Sequence, residues 1–327
     1  MEQATALIIA GPTCSGKSAL ALDLAVRLGG TVINADSMQV YRELRVLTAR
    51  PSPEDEARAP HYLYGVRPAA EPGNAAWWRR EAMAAMEQAR LPILCGGTGL
   101  YLTALTQGIV DIPDPDPAMR IEARAMMADL PGLYARLSQA DPVTAAGIYA
   151  GDGQRLARAW EVWRSTGRGL SAWQALTLPP APWRFRMVHL DPPREALRRA
   201  IAGRFSAMMD NGALDEVRAI RHLDPALPAM RAHGVVELMQ YLDGRITLDA
   251  AAEKTELVTG RYTKQQATWF RNRKIVDPAN LHTIHARYEG LAQLSHSLED
   301  DLQHFVNSTI DAPQQTAALG GQGETHD

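Results

Sequence analysis

Five apolar residues, Ala6–Ala10, form a short hydrophobic run near the start of the chain. A glycine-bearing stretch follows, and then apolar positions recur every three or four residues from about Lys17 to Leu28. The run predicts a buried strand and the periodic stretch an amphipathic helix stopped by Gly29-Gly30. "TVINA" (Thr31–Ala35) and "PILCG" (Pro92–Gly96) read as two further buried strands, and Asn74 can cap a helix reaching about Arg90. Strands alternating with helices predict a parallel α/β sheet, whose ligands bind at the carboxyl ends of its strands.

"DIPDPDP" (Asp111–Pro117) interrupts this alternation, and from there to about Pro182 the pattern is helical only. "LPPAPW" (Leu178–Trp183) closes the helical stretch, and "FRMVHLD" (Phe185–Asp191) returns as a strand followed by a helix with prolines at its start. The organisation expected is an α/β core over residues 1–112 and 184–307, a helical insertion over 113–183, and a Gln/Thr/Ala/Gly-rich disordered tail over 308–327.

Three strand ends carry candidate chemistry. "GPTCSGKS" spans Gly11, Pro12, Thr13, Cys14, Ser15, Gly16, Lys17 and Ser18 and has the G-x-x-x-x-G-K-S spacing of a phosphate loop. Its glycines let backbone N–H groups face anionic oxygens, and the following helix adds its positive end. Lys17 supplies a point charge and the Ser18 hydroxyl a ligand for Mg²⁺. This specifies a di- or triphosphate without specifying a reaction. In "DSMQVY", Asp36 can hold Mg²⁺, accept a proton or cap a turn; its position beside a phosphate loop favours a functional role. "GGTGLY" gives Thr98 a glycine-flanked hydroxyl, which an ordinary strand-to-helix turn also explains. "KQQATWFRNRK" (Lys264–Lys274) suits either RNA contact or an amphipathic helix that buries Trp269 and Phe270.

Composition adds little except through its distribution. The chain has 327 residues and a net charge of −3, which gives no general reason to expect nucleic acid. Arginines nevertheless cluster around Arg155–Arg168, Arg184–Arg204 and Arg261–Arg273. Such runs are solvated helix faces or a local cationic surface for a polyanion. Cys14 and Cys95, the two cysteines, lack metal-ligand spacing and suit a reducing compartment. No run is long enough to span a bilayer and no signal peptide is evident, so a cytoplasmic protein is expected.

Taken in order, "GPTCSGKS", "ADSMQVYREL", "TARP", "CGGTGLYLTAL", "DGQRLARAWEVWRSTGRGLS", "DNGALDEVRAI", "RAHGVVEL" and "YTKQQATWFR" resemble the tRNA dimethylallyltransferases, over roughly residues 6–273. The resemblance implies a P-loop NTPase-like parallel sheet with a helical insertion. It implies transfer of a dimethylallyl group from dimethylallyl diphosphate to N6 of the adenosine just 3′ of the anticodon, in tRNAs reading codons that begin with U. The partners it implies are Mg²⁺ and a tRNA anticodon stem-loop, with the chain acting as a monomer. By resemblance, residues 11–18 hold the diphosphate, Asp36 is the general base, and Thr98 and Arg231 contact the diphosphate. Asp36, Ser37, Met38, Gln39, Thr98, Arg120 and the run Gln154, Arg155, Leu156, Ala157, Arg158 match tRNA-contacting positions. The chain departs from the family pattern at Leu47 and Arg50, at "GIYAGD", and at Gly260 and Gln265, where arginines are usual. Other readings of the same loop are an isopentenyltransferase acting on free AMP or ADP, a small-molecule kinase and a nucleotide-switch protein.

Overall fold

A computed structural model describes residues 3–176, 178–290 and 296–310. Strand β1 (Thr5–Ala10) runs into helix α1 (Lys17–Leu28), then β2 (Thr31–Asn34), α2 (Pro53–Arg58), β3 (His61–Tyr62), α3 (Ala75–Gln88), β4 (Pro92–Gly96) and α4 (Gly99–Thr106). Helices α5 (Pro117–Ala125), α6 (Leu130–Ala140), α7 (Pro142–Ala146), α8 (Gly153–Thr166) and α9 (Leu170–Gln174) follow. The chain returns through β5 (Arg184–Leu190), α10 (Arg194–Asp210), α11 (Ala213–Ile220), α12 (Val235–Leu242), the long α13 (Leu248–Asn272), β6 (Leu281–Ile284) and α14 (His296–Ile310).

Residues 103–181 form one compact unit, and the sequence on either side forms the other. In the larger unit the described strands make one sheet in the order β3-β2-β4-β1-β5-β6, with every pairing parallel. Strand β1 lies between β4 and β5 and is apolar and buried on both faces from Ala6 to Ala10, as expected where helices cover both sides of a parallel sheet. The chain leaves β1 toward β2 and later returns to its other side at β5. The carboxyl end of β1 is therefore the switch point where a crevice opens.

The local signals explain the elements that frame this crevice. Asn74 caps α3 by accepting from the Trp77 N–H at 2.7 Å. Ser52 and Asp55 form a reciprocal capping box on α2, so even this short helix has a defined start. Strand β3 is two residues long and β6 is a four-residue edge strand, "LHTI". Neither has a periodicity that a sequence alone can display. Helix α14 continues to Ile310; the tail expected from residue 308 otherwise lies outside the described residues.

The smaller unit has its own core, in which Leu133, Leu137, Leu156, Ala159 and Trp160 pack with Ala123 and Ala145. Its start is tied to its end, since the Ala181 N–H donates to Leu105 O and the Leu178 N–H to Ile109 O. The proline-rich stretch at 111–117 thus lies inside this unit. No helix of the described residues is long and apolar enough to cross a membrane.

Candidate active site

The phosphate-type loop leaves β1 at Gly11 and enters α1 at Lys17. Gly16, the N-cap, has φ +90°, a conformation that side-chain-bearing residues avoid. A Cβ there would also lie 2.0 Å from Tyr288 O. The first N–H groups of α1 have no intrahelical acceptor, so the loop presents a row of donors at the positive end of a helix. The Lys17 ammonium turns back over the loop toward Pro12 O, at 3.4 Å, and the Ser18 side chain is exposed. Thr13 is held differently, because its N–H and its hydroxyl both donate to Gln266 Oε1, at 2.8 and 3.1 Å. Ser15 is fully buried, and Cys14 is half-buried with φ +66°.

The loops after β2 and β4 are stitched to each other. The Thr98 N–H donates to Ala35 O at 3.2 Å, and Thr98 Oγ1 accepts from the Ser37 N–H at 2.9 Å. Asp36 Oδ1 accepts from the Met38 N–H at 2.9 Å. Its other oxygen has no hydrogen-bond partner among the described residues. Asn34 carries this turn, accepting from the Asp36 N–H and donating to Asp36 O and Leu63 O. Asp36, Ser37 and Thr98 are therefore brought together, with Asp36 as the carboxylate of the group. Gln39 is only 8 % exposed, and its amide donates to Thr48 O and Ala49 O. Arg231 ends a short 3₁₀ turn (Pro228–Arg231) with its side chain exposed.

Charge effects place further groups around Asp36. Burial pushes the Cys95 thiol up to about 11, against the Lys17 charge and a hydrogen bond with Ser18, while Asp36 raises it further. Burial pushes the Tyr262 phenol up to about 12, and Asp36 adds to the effect. His233 is driven down by burial and by Arg204, with Asp36 opposing. Its ring lies 4.9 Å from that of Tyr262, and burial keeps it neutral at pH 7. One carboxylate, one lysine and several neutral polar side chains thus share the crevice at the end of β1, β2 and β4. This arrangement can hold a phosphate-bearing group and accept a proton beside it.

In the smaller unit, Gln154, Arg155 and Arg158 face outward from the first turns of α8, and Arg155 is 73 % exposed. Leu156 and Ala157 are buried in the unit's core and leave the outward face to their neighbours. Arg158 and Arg120 both pair with Glu161, at 2.9 and 3.5 Å. If these arginines touch RNA phosphates, replacing Arg155 and Arg158 by Ala weakens tRNA binding. It also lowers the slope of log K against log[salt] by about 0.7 for each phosphate that is no longer neutralised. Filter-binding titrations at several salt concentrations measure it, and an unchanged slope places these arginines off the RNA.

Comparison with known proteins assigns the whole to a family. The sequence profile described as IPP transferase matches residues 39–273, well over half of the chain. The chain belongs to the IPP transferase family. Residues 4–64 also match the isopentenyl transferase profile. A tRNA dimethylallyltransferase of Granulibacter bethesdensis is 58 % identical over 317 residues, covering 94 % of this chain and 99 % of that one. The crystal structure of the full-length tRNA isopentenylpyrophosphate transferase of Bacillus halodurans is 29 % identical with a TM-score of 0.64, covering 94 % and 98 % of the two chains. A eukaryotic dimethylallyltransferase acting on tRNA shares the fold at 23 % identity, with a TM-score of 0.78 over 94 % of this chain and 79 % of that one.

For this IPP transferase, the structure adds roles that the motifs themselves did not announce. Arg204 on α10 donates to Cys14 Sγ at 3.7 Å and to Leu47 O at 3.3 Å. Arg287, beyond β6, donates to Cys14 O at 3.0 Å, and the Tyr288 N–H donates to Ser15 O. Glu216 on α11 accepts from the N–H groups of Val46 and Leu47. Trp269 and Phe270 both pack inward, Trp269 under Gly99 and Phe270 against the His189 ring at 5.4 Å. Lys264 and Gln265 remain exposed. Gly260 lies on a groove of about 890 Å³ between α10 and α13, whose lining includes Arg194, Arg198, Arg261 and Lys264.

Helix α13 is anchored at its far end by Arg271, whose Nε and Nη2 donate to Asp191 at 2.9 and 2.7 Å. Burial pushes the Asp191 carboxyl up, but the Arg271 hydrogen bonds and charge outweigh it and hold the group below its usual range. A depressed carboxyl contributes stability above its unfolded pKa of about 3.9 and loses it as pH falls through the folded value. Asp191→Asn is expected to cost about 1–3 kcal/mol at pH 7. The gap from wild type should narrow as pH drops below about 4. Urea melts across that range test this; a gap independent of pH would exclude the ion pair as its source.

Proposed function

We propose that the chain transfers a dimethylallyl group from dimethylallyl diphosphate to N6 of the adenosine next to the anticodon of tRNA, acting as a monomer in the cytoplasm. The observation that carries this reading is a carboxylate with an open oxygen, Asp36, beside a phosphate cradle whose neighbouring strand β4 ends in glycines. A phosphoryl-transfer site would call for an acid at such a strand end to hold the metal. A prenyl-transfer site calls for a diphosphate cradle and a nearby proton acceptor.

In the reaction, the bond between the allylic carbon and the diphosphate oxygen breaks, and the diphosphate departs with the electron pair. The adenine N6 forms the new bond to carbon and loses a proton, which Asp36 accepts. Charge grows on the leaving diphosphate, so donors already aimed at it lower the barrier. The α1 N–H groups and Lys17 supply them, with Thr98 and Arg231 as further contacts. The donor set at the head of α1 also suits a hard cation: the Ser18 hydroxyl, which bears with Asp36 on the same Cys95 thiol, is an oxygen ligand of the kind Mg²⁺ takes. Bound there with diphosphate oxygens, Mg²⁺ would supply further neutralisation of the leaving group. The adenine must leave its stack to reach Asp36, at a cost of a few kcal/mol that contacts to the flanking RNA offset. Ser37, Met38, Arg120, Gln154, Arg155 and Arg158 are the residues assigned to those contacts.

The deciding experiment mixes the protein with labelled dimethylallyl diphosphate, Mg²⁺ and either unmodified tRNA or AMP. Label is expected on tRNA at the adenosine 3′ of the anticodon. Label on AMP alone would establish the free-nucleotide reaction, and nucleoside triphosphate turnover without label transfer would overturn the proposal.

A further inference from the structure

Gln266 is 5 % exposed and sits well inside α13, yet both ends of its amide are used at the site. Its Oε1 accepts from the Thr13 N–H and from the Thr13 hydroxyl. Its Nε2 donates to Gly97 O at 3.0 Å. The fit against Gly97 is tight, since a Cβ on that glycine would come within 2.3 Å of Nε2. The Tyr262 phenol lies one turn earlier on α13, where burial pushes it up and Gln266 opposes that shift.

These bonds belong to a longer circuit. Gly97 leads into Thr98, whose N–H holds Ala35 O and whose hydroxyl holds the Ser37 N–H. Ser37 is bonded in sequence to Asp36. The phosphate loop and the Asp36 turn come from different strands, β1 and β2, with β4 between them. Gln266 is the side chain that fastens the first to the β4 turn, and Thr98 fastens that turn to the second.

We propose that Gln266 is a positioning residue that fixes the distance between the diphosphate-holding loop and the Asp36 carboxylate, so that donor carbon and proton acceptor meet in register. The inference rests on the prenyl-transfer reading of the site. The chemistry needs a primary amide. The position requires an acceptor for two donors and, on the same planar group, a donor for a carbonyl. Ionised glutamate has no donor, asparagine is one methylene too short, and leucine offers neither function.

Two full-length variants test it, with transfer measured under single-turnover conditions at saturating tRNA and dimethylallyl diphosphate. Gln266→Leu is expected to lower the transfer rate on the order of 10²-fold, the scale of a misplacement near 1 Å, with tRNA affinity unchanged. Gln266→Glu is expected to show a new pH limb. The neutral carboxylic acid reproduces the amide, one oxygen accepting from Thr13 and the O–H donating to Gly97 O. The carboxylate cannot donate and repels both the carbonyl and the diphosphate. Its rate relative to wild type should therefore rise as pH falls. Taking that ratio removes the pH dependence that the two proteins share.

A pH-independent ratio for Gln266→Glu would overturn the inference. So would a Gln266→Leu enzyme that transfers at the wild-type rate with only a lower melting temperature. Should Gln266→Leu fail to fold, the pH ratio of Gln266→Glu decides. A wild-type protein that transfers no prenyl group to tRNA would instead remove the reading on which the inference rests.

Discussion

Asp36→Asn is expected to slow prenyl transfer by about 10²- to 10⁴-fold, the range general-base catalysis supplies, while diphosphate affinity stays near that of wild type. The reasoning depends on what asparagine keeps. Its carbonyl oxygen can still accept from the Met38 N–H, the bond that Asp36 Oδ1 makes at 2.9 Å. The network of Asn34, Ser37 and Thr98 around the turn does not use the second oxygen. The turn therefore survives and the proton acceptor disappears. Rapid-quench single-turnover transfer measures the first quantity, and calorimetric titration with inorganic diphosphate measures the second. A variant that transfers at the wild-type rate would remove Asp36 as the base. A variant that loses diphosphate affinity instead would make it part of the cradle.

Lys17→Met should lose both quantities. Methionine keeps much of the aliphatic stem and removes the charge that bears on the departing diphosphate. Removing one preorganised electrostatic donor of this kind costs about 10²- to 10³-fold in rate, and here ground-state affinity for diphosphate should fall as well. The Lys17 ammonium touches Pro12 O within the loop, so the loop itself is held mainly from outside, by Gln266, Arg287 and Tyr288. The variant should accordingly melt near the wild-type temperature. A Lys17→Met protein that binds diphosphate as tightly as wild type would show that the ammonium points elsewhere when the donor is bound.

The residues behind the two variants are legible in the sequence for different reasons. The loop and helix α1 carry local signals: an apolar strand, glycines at fixed spacing and a periodic helix. Strands β2 and β4 are short, mostly apolar runs bounded by turn residues, β5 mixes apolar with basic residues, and all three form where the sequence predicts them. Asp36 gains meaning only from lying at the end of the strand after the loop. Gln266 stands inside the "YTKQQATWFR" stretch, but nothing local announces its role, because its partner Thr13 is 253 residues away in the chain. Arg204 and Arg287 reach Cys14 across 190 and 273 residues. A lone Gln or Arg in a helix or loop reads as surface, and only the folded contacts say otherwise. Residues around α8 show the converse. "QRLAR" reads as one continuous stretch, yet the helical period turns Leu156 and Ala157 inward and leaves Gln154, Arg155 and Arg158 outside.

The end of β4 has a consequence for what this loop can become. A Cβ on Gly96 would lie 2.1 Å from the Ala35 carbonyl, and one on Gly97 would collide with Gln266. Gly96 has no room for a side chain, and one on Gly97 would push the Gln266 amide aside, so a carboxylate at this strand end, where phosphoryl-transfer loops hold their metal, would disrupt the packing around it. What keeps an acid out of this strand end is thus the packing of the β2 turn and of the Gln266 amide against the β4 turn.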